Sequence, residues 1–173
     1  NLKEGGMNPF AMLAMPNNAA KKDDIGNPTP FSVVGPGWGL VFNFAPKFYN
    51  TFDEKDLRAE SIITRYYTNG GEWWGPEQIG KKSEWDGYVP YKYPAETSSA
   101  PCFGNDFPLA RWADVLLMYA EAEVRLSNSA PSADALAAVN QVRARAGLGN
   151  LPTSYTTSAQ VFLDALLEER GHE

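Results

Sequence analysis

Residues 106–123 read Asp-Phe-Pro-Leu-Ala-Arg-Trp-Ala-Asp-Val-Leu-Leu-Met-Tyr-Ala-Glu-Ala-Glu. Asp106 suits a helix N-cap, and Pro108 suits the first turn, where a missing N–H costs nothing. Leu109, Trp112, Val115, Leu116, Tyr119 and Ala120 recur at helical spacing. That rhythm predicts an amphipathic helix from Arg111 to about Leu126 with this face turned inward. Trp112 and Tyr119 therefore read as core. Arg111 and Asp114 stand one turn apart, as do Glu121 and Arg125, which is the spacing of side-chain pairs along a helix. With Glu123 they read as a polar network that fixes helix docking, and Glu121 is expected to reach Arg143 or Arg145.

The same rhythm continues downstream. Ser127–Ser132 is a turn containing Pro131. Ala133–Ala146 is a second helix with Leu136, Val139, Val142 and Ala146 inward, and Gly147 supplies the left-handed residue that stops it. Arg143 and Arg145 lie at its C-terminal end, where positive charge suits the helix dipole. Thr156-Thr157-Ser158 caps a third helix whose stripe is Val161, Phe162, Ala165 and Leu166. Two helices of about 15 residues joined by a short turn make an αα-hairpin, the unit of helical-repeat proteins.

Upstream the composition is different. Eleven of thirteen prolines, twelve of fifteen glycines, eight of nine phenylalanines and four of five tryptophans lie at or before residue 108. Pro and Gly punctuate this part too often for long helices. Phe10–Met15 reads as a short buried strand and Ala45–Phe52 as one short helix opened by Pro46. Ser61–Tyr67 is rich in β-branched and aromatic residues and reads as a strand ended by Asn69-Gly70-Gly71, with Val89–Tyr93 as a second. The fold class is thus mainly α: a helical-repeat-like αα-hairpin in 106–173 beside a loop-rich, aromatic-rich region with short strands in 1–105. Together they read as one domain of a longer protein, because the chain opens at Asn1 without Met and stops inside a helical rhythm.

Several function classes are excluded. The net charge of the 173 residues is −6, with no basic run longer than Lys21-Lys22 or Lys81-Lys82, which leaves no positive footprint for nucleic acid or an anionic membrane. A single cysteine, Cys102, allows no intrachain disulfide. No apolar run reaches the roughly 18 residues of a membrane span. His172 is the only histidine, so neither a Ser-His-Asp triad nor a zinc centre is predicted. Asp23-Asp24 and Asp53-Glu54-Lys55-Asp56 lack the spacing of a calcium loop and read as solvated charge. No cofactor and no metal are expected.

Residues 106–173 resemble the C-terminal signature of the SusD/RagB family. Asp106 to Ala122 is similar to the first motif. Ala135 to Gly147, with Asn140, Val142, Arg143, Arg145 and Ala146, is similar to the second. Phe162 to Glu173 resembles the late Glu-Glu-Arg helix. Gly37-Trp38-Gly39 followed by Asp53–Arg58 resembles a weaker middle motif. The resemblance implies a mainly α fold with tetratricopeptide-like helical pairs, and non-enzymatic, glycan-binding lipoproteins of the outer membrane, carried on the cell surface by an N-terminal lipid anchor that lies outside this chain. It implies polysaccharide utilisation, with a SusC-like TonB-dependent transporter as partner and an oligosaccharide or polysaccharide as ligand. A helical-repeat interaction module with no ligand of its own is the alternative.

Glycan binding directs attention to the tryptophans, because the apolar C–H face of a pyranose stacks on an indole while its hydroxyls need polar groups around the rim. Trp73, Trp74, Trp85 and Tyr88 fall within sixteen residues in Gly-rich loops. Trp38 stands between glycines, with Phe31 as a flanking ring. These six are the candidate ligand-binding residues. The competing reading is that each ring pins loops in the core. Trp73 and Trp74 cannot both take that role on an extended backbone, since neighbouring side chains alternate. No residue is assigned a catalytic role, because glycoside hydrolysis needs two facing carboxylates about 5–10 Å apart and the acidic residues here are clustered or alone.

Overall fold

The computed structural model describes residues 13–32, 37, 39–82, 85–93 and 108–173. They form two compact units. One is loop-rich and drawn from residues up to Thr51 and from Ala59 to Phe107. The other joins Phe52–Arg58 to Pro108–Glu173.

The loop-rich unit carries α1 (Pro46–Tyr49), opened by Pro46 as its sequence predicts. It also carries four two-residue strands, β1 (Ile62–Ile63), β2 (Tyr66–Tyr67), β3 (Trp73–Trp74) and β4 (Val89–Pro90). The expected single strand over Ser61–Tyr67 is split. Its first half pairs with β4 and its second half with β3, both antiparallel. The split arises because the Asn69-Gly70-Gly71 turn folds β3 back onto β2, and the Glu72 carbonyl accepts from the Thr68 N–H at 2.9 Å. Of the strand expected over Phe10–Met15, residues 10–12 lie outside the described residues. Leu13–Met15 is not extended into a strand, and the Met15 carbonyl accepts instead from the N–H groups of Gly39 and Leu40.

Tyr66 is the centre of this unit's core. Its ring meets those of Trp85 at 5.1 Å, Phe31 at 5.9 Å and Trp74 at 6.0 Å, all edge to face. Polar ends of buried rings need partners: the Tyr66 hydroxyl donates to Asn18 Oδ1 at 2.8 Å and Trp85 Nε1 to the Gly75 carbonyl at 2.7 Å. Met15, Leu40, Ile62 and Val89 complete the apolar set.

The helical unit consists of α2 (Trp112–Ser127), α3 (Ala133–Arg145) and α4 (Ala159–His172). The α2 helix starts later than Pro108, at an Arg111 N-cap whose N–H donates to Asp114 at 3.3 Å. Asp106, the expected cap, lies outside the described residues. Left-handed Asn128 ends α2. Ser132 and Ser158 cap α3 and α4 through their hydroxyls. Gly147, at φ +78°, ends α3, with Leu148 N–H bonded to the Arg143 carbonyl and Gly147 N–H to that of Ala144. This pair of bonds is a Schellman arrangement.

Leu117, Ala120 and Val124 of α2 pack on Ala135, Ala138, Val139 and Val142 of α3 and on Phe162 and Leu166 of α4. The inward face of α2 meets the expected one only at Ala120 and at partly buried Leu116. Trp112, Val115 and Tyr119 are exposed, and Leu109, ahead of the helix, is exposed too. The sequence holds two apolar stripes on α2, and the partner helices take the other. On α4, Val161 also lies at the surface, whereas Ala165 and Leu166 are buried as expected.

One polar network closes the unit. Buried Glu169 accepts from Arg58 at 2.6 Å and from Arg143 at 2.8 Å. Glu173, whose side chain is buried, takes Arg111 at 2.5 Å and also Arg145. Arg58 forks onto Asp56 through Nε and Nη2 at 2.9 and 2.6 Å. Asp56 is thus buried rather than solvated. Glu121 pairs with Arg125 and Arg170 instead of Arg143 or Arg145, which the α4 carboxylates engage.

Removing one member of a buried ion network strands the others. Glu169→Gln is expected to lower unfolding stability by about 3 kcal/mol, read from urea titration followed by circular dichroism; a loss within experimental error would contradict the network's role. His172, packed on Phe52 at 4.1 Å, has its pKa pressed below the usual 6.5 by burial and then by the charge of Arg58. A depressed folded pKa gives stability that is present above 6.5 and lost as pH falls below it. The urea midpoint is expected to drop between pH 7 and pH 5, and His172→Gln to flatten that drop.

Candidate functional site

The antiparallel register sets Tyr67 opposite Trp73 and Tyr66 opposite Trp74. Alternation along each strand then sends the two pairs to opposite faces. Tyr66 and the near side of Trp74 go to the core. Trp73 goes outward and is 37% exposed, beside Tyr67 at a ring separation of 5.3 Å. Trp74 is half-buried. The expectation that neighbouring indoles part company is what the hairpin shows.

Charged groups ring this pair. The Arg65 guanidinium lies over the Trp73 ring at 5.3 Å and the Lys82 ammonium over the Trp74 ring at 5.6 Å. Cations over indole faces are attracted by the ring quadrupole. Lys82 also pairs with Glu72 at 2.9 Å. Trp74 Nε1 donates to Glu72 at 3.2 Å, and Trp73 Nε1 to Asp24 at 3.3 Å. The bonds from Lys82 and Trp74 hold the Glu72 carboxyl below the usual carboxylate range. It stays ionised at neutral pH, an acceptor rather than a proton donor. The whole cluster belongs to the loop-rich unit.

Three of the six candidate residues are corrected by burial. Trp85 is 0% exposed, and Tyr88 and Phe31 are also buried; no ring sealed in this way offers a face to a ligand. Gly87 explains the Trp85-Asp86-Gly87-Tyr88 loop, because a Cβ there would stand 2.6 Å from the Phe44 carbonyl. Phe44 and Tyr88 exchange two backbone bonds of 2.8 Å across that contact. The loop's glycine thus serves close backbone approach, not projection of a ring. Trp38 lies outside the described residues. The partners Arg65, Lys82, Asp24 and Tyr67 had no recognisable motif. Arg65, a lone charge within the aromatic run Ser61–Tyr67, was the available sign.

Among the described residues, no group of three His, Cys, Asp or Glu side chains is placed to hold a metal ion.

The SusD family model matches residues 41–173. No curated protein matches the sequence. Among solved structures, the chain is similar to a SusD superfamily protein from Parabacteroides distasonis ATCC 8503, with 23% identity and a TM-score of 0.65. That match covers 98% of this chain and 34% of that one. Surface glycan-binding protein A from Bacteroides uniformis follows, at 20% identity and a TM-score of 0.60, over 99% of this chain and 40% of that one. A SusD superfamily protein from Bacteroides fragilis NCTC 9343 has 19% identity and a TM-score of 0.59, over 99% and 36%. The chain thus spans little more than a third of the length of these relatives.

Iodide quenching separates the indoles. Trp73→Phe and Trp112→Phe are each expected to reduce the quenchable fluorescence, whereas Trp85→Phe should remove only an unquenchable part. Strong quenching of Trp85 would refute the core assignment.

Proposed function

The chain belongs to the SusD family, and from that premise we propose that it is a non-catalytic glycan-binding component of the cell surface. It holds an oligosaccharide or polysaccharide for a TonB-dependent transporter of the outer membrane, to which a lipid anchor attaches the longer protein. The observation that carries the reading is the outward Trp73, ringed by hydrogen-bonding groups of both signs. The indole gives an apolar platform for the C–H face of a sugar. Arg65 and Lys82 supply donors to its hydroxyl oxygens, and Glu72 and Asp24 supply acceptors for its hydroxyl protons. Among the solved relatives, the Bacteroides uniformis protein is a surface glycan-binding protein.

The same groups argue against hydrolysis. A glycosidase acid needs a raised pKa and a second carboxylate facing it across the scissile bond. Glu72 is shifted the other way by Lys82 and Trp74. Its role in this site is to accept, and to hold Lys82 against the Trp74 ring.

Titration calorimetry against a panel of neutral and acidic oligosaccharides tests the reading. Binding by at least one glycan is expected, weakened at least about tenfold, or about 1.4 kcal/mol, in Trp73→Ala. Arg65→Ala is expected to weaken it less. Unchanged binding in Trp73→Ala would remove the site assignment, and no binding across the panel would remove the glycan reading for this chain.

A further inference from the structure

The two cations beside the β2–β3 hairpin differ in one respect. Lys82, over the Trp74 ring, is neutralised by Glu72 at 2.9 Å. Arg65, over the Trp73 ring, has no such partner. The chain contains seven arginines. Six of them hold a carboxylate: Arg58, Arg111, Arg125, Arg143, Arg145 and Arg170. Arg65 is the seventh. It is exposed, and among the described residues no carboxylate forms an ion pair with it. A guanidinium has five N–H donors and no acceptor. Attraction to an indole face uses its charge and leaves those donors for oxygen. The Arg65 stem crosses Gly75, where a Cβ would stand 3.4 Å from Arg65 Cγ. Glu77 Oε2 lies 3.0 Å from that same point and still makes no ion pair with Arg65.

This arrangement deepens the glycan reading proposed above and rests on it. We propose that the site takes an acidic glycan, with a sugar oxyanion (the carboxylate of a uronate or a sulfate ester) seated on Arg65. An indole alone selects the apolar face of a sugar and is indifferent to its charge. A guanidinium discriminates, because its parallel N–H groups match two oxygens of an oxyanion and a neutral hydroxyl offers only one. The other groups fix where the acid lies. Asp24 accepts from Trp73 Nε1 at 3.3 Å, so that edge of the ring carries negative charge. An oxyanion there would be repelled, whereas sugar hydroxyls donate to the Asp24 oxygens. A sugar on Trp73 thus meets a cation over the ring and an acceptor at the N–H edge. Its acid group is directed to Arg65 and its hydroxyl donors to Asp24. Tyr67, with its ring 5.3 Å from that of Trp73, borders the same platform. Because Arg65 and Trp73 are both exposed, the ion pair adds only a modest factor in affinity. The indole supplies the contact and Arg65 sets the charge of the sugar that is kept.

Titration calorimetry with matched ligands decides it. Oligomers of galacturonate and of hyaluronan are measured as the acids and as their methyl esters, which keep the ring stereochemistry and lose the charge. Chondroitin sulfate oligomers are measured with and without their sulfate, and neutral xylan and mannan oligomers complete the set. Binding is expected among the acidic members, weakened about fivefold by esterification or desulfation. Arg65→Gln is expected to bind acid and ester alike, at the affinity of the unaltered protein for the ester. The preference should shrink as sodium chloride rises from about 0.05 M to about 0.5 M. A desulfation effect in place of an esterification effect would support the proposal and identify the oxyanion as sulfate. Neutral members bound as tightly as any acidic one, or acid and ester bound equally, would overturn the acidic class and leave the glycan reading standing. A preference that survives in Arg65→Gln would overturn the assignment to Arg65. Binding to no member would remove the glycan reading and this inference with it. The ester comparison in the unaltered protein decides the acidic class even where Arg65→Gln does not fold.

Discussion

The helical unit depends on two carboxylates with buried side chains, Glu169 and Glu173, held among four arginines. Charges taken out of water are tolerated only when every oxygen finds a donor. Here Glu169 binds Arg58 and Arg143, and Glu173 binds Arg111 and Arg145. These arginines come from three places: Arg58 from the segment Phe52–Arg58, Arg111 from the start of α2, and Arg143 and Arg145 from the last turn of α3. The apolar contacts between helices are non-directional and would tolerate a slip. The guanidinium forks are directional and tolerate none. The network therefore selects one docking of α4 and one path for Phe52–Arg58 from the many that burial alone permits. It also explains why residues 52–58 belong with helices that follow more than fifty residues later in the chain.

The loop-rich unit is organised by rings instead of ions. Among its described residues the four strands are two residues long and make few ladder bonds, and their order comes from edge-to-face packing around Tyr66 and from the bonds that the buried hydroxyl and indole N–H make. The candidate site is a by-product of that architecture. The β2–β3 hairpin must bury Tyr66 and part of Trp74, and strand alternation then leaves Tyr67 and Trp73 outside. A rigid inner face thus fixes the geometry of the outer one, which is what a flat binding platform requires.

Helices were legible because their signals are local. Ser132, Ser158 and Gly147 announce caps and a stop, and the 3.6-residue rhythm marks everything between. Which stripe of α2 faces inward was not legible, because Trp112–Tyr119 and Leu117–Val124 are equally regular and only the partner chooses. Burial of Asp56 was hidden for the same reason: its neutralising arginine stands two residues away, but the carboxylate that holds that arginine is at position 169. In the loops, period-two alternation told that Trp73 and Trp74 part. The tight Phe44–Tyr88 contact beside Gly87 depends on a pairing across more than forty residues, and no local pattern encodes it.

The two stripes of α2 also reconcile two demands on one helix. A helix packed on one face needs charge on the other to remain soluble, and α2 does not have it: Val115, Tyr119 and Leu126 stand where Lys or Glu would serve a surface helix. Its charges are confined to the narrow sectors between stripes, where Glu121 holds Arg125 and Arg170, and Glu123 takes the Ser132 hydroxyl at 2.6 Å. Those contacts orient α2 about its own axis, so the open stripe presents one face as firmly as the closed stripe does. Between Trp112 and Leu126 the helix thus carries one apolar stripe packed on α3 and α4 and a second that stands exposed.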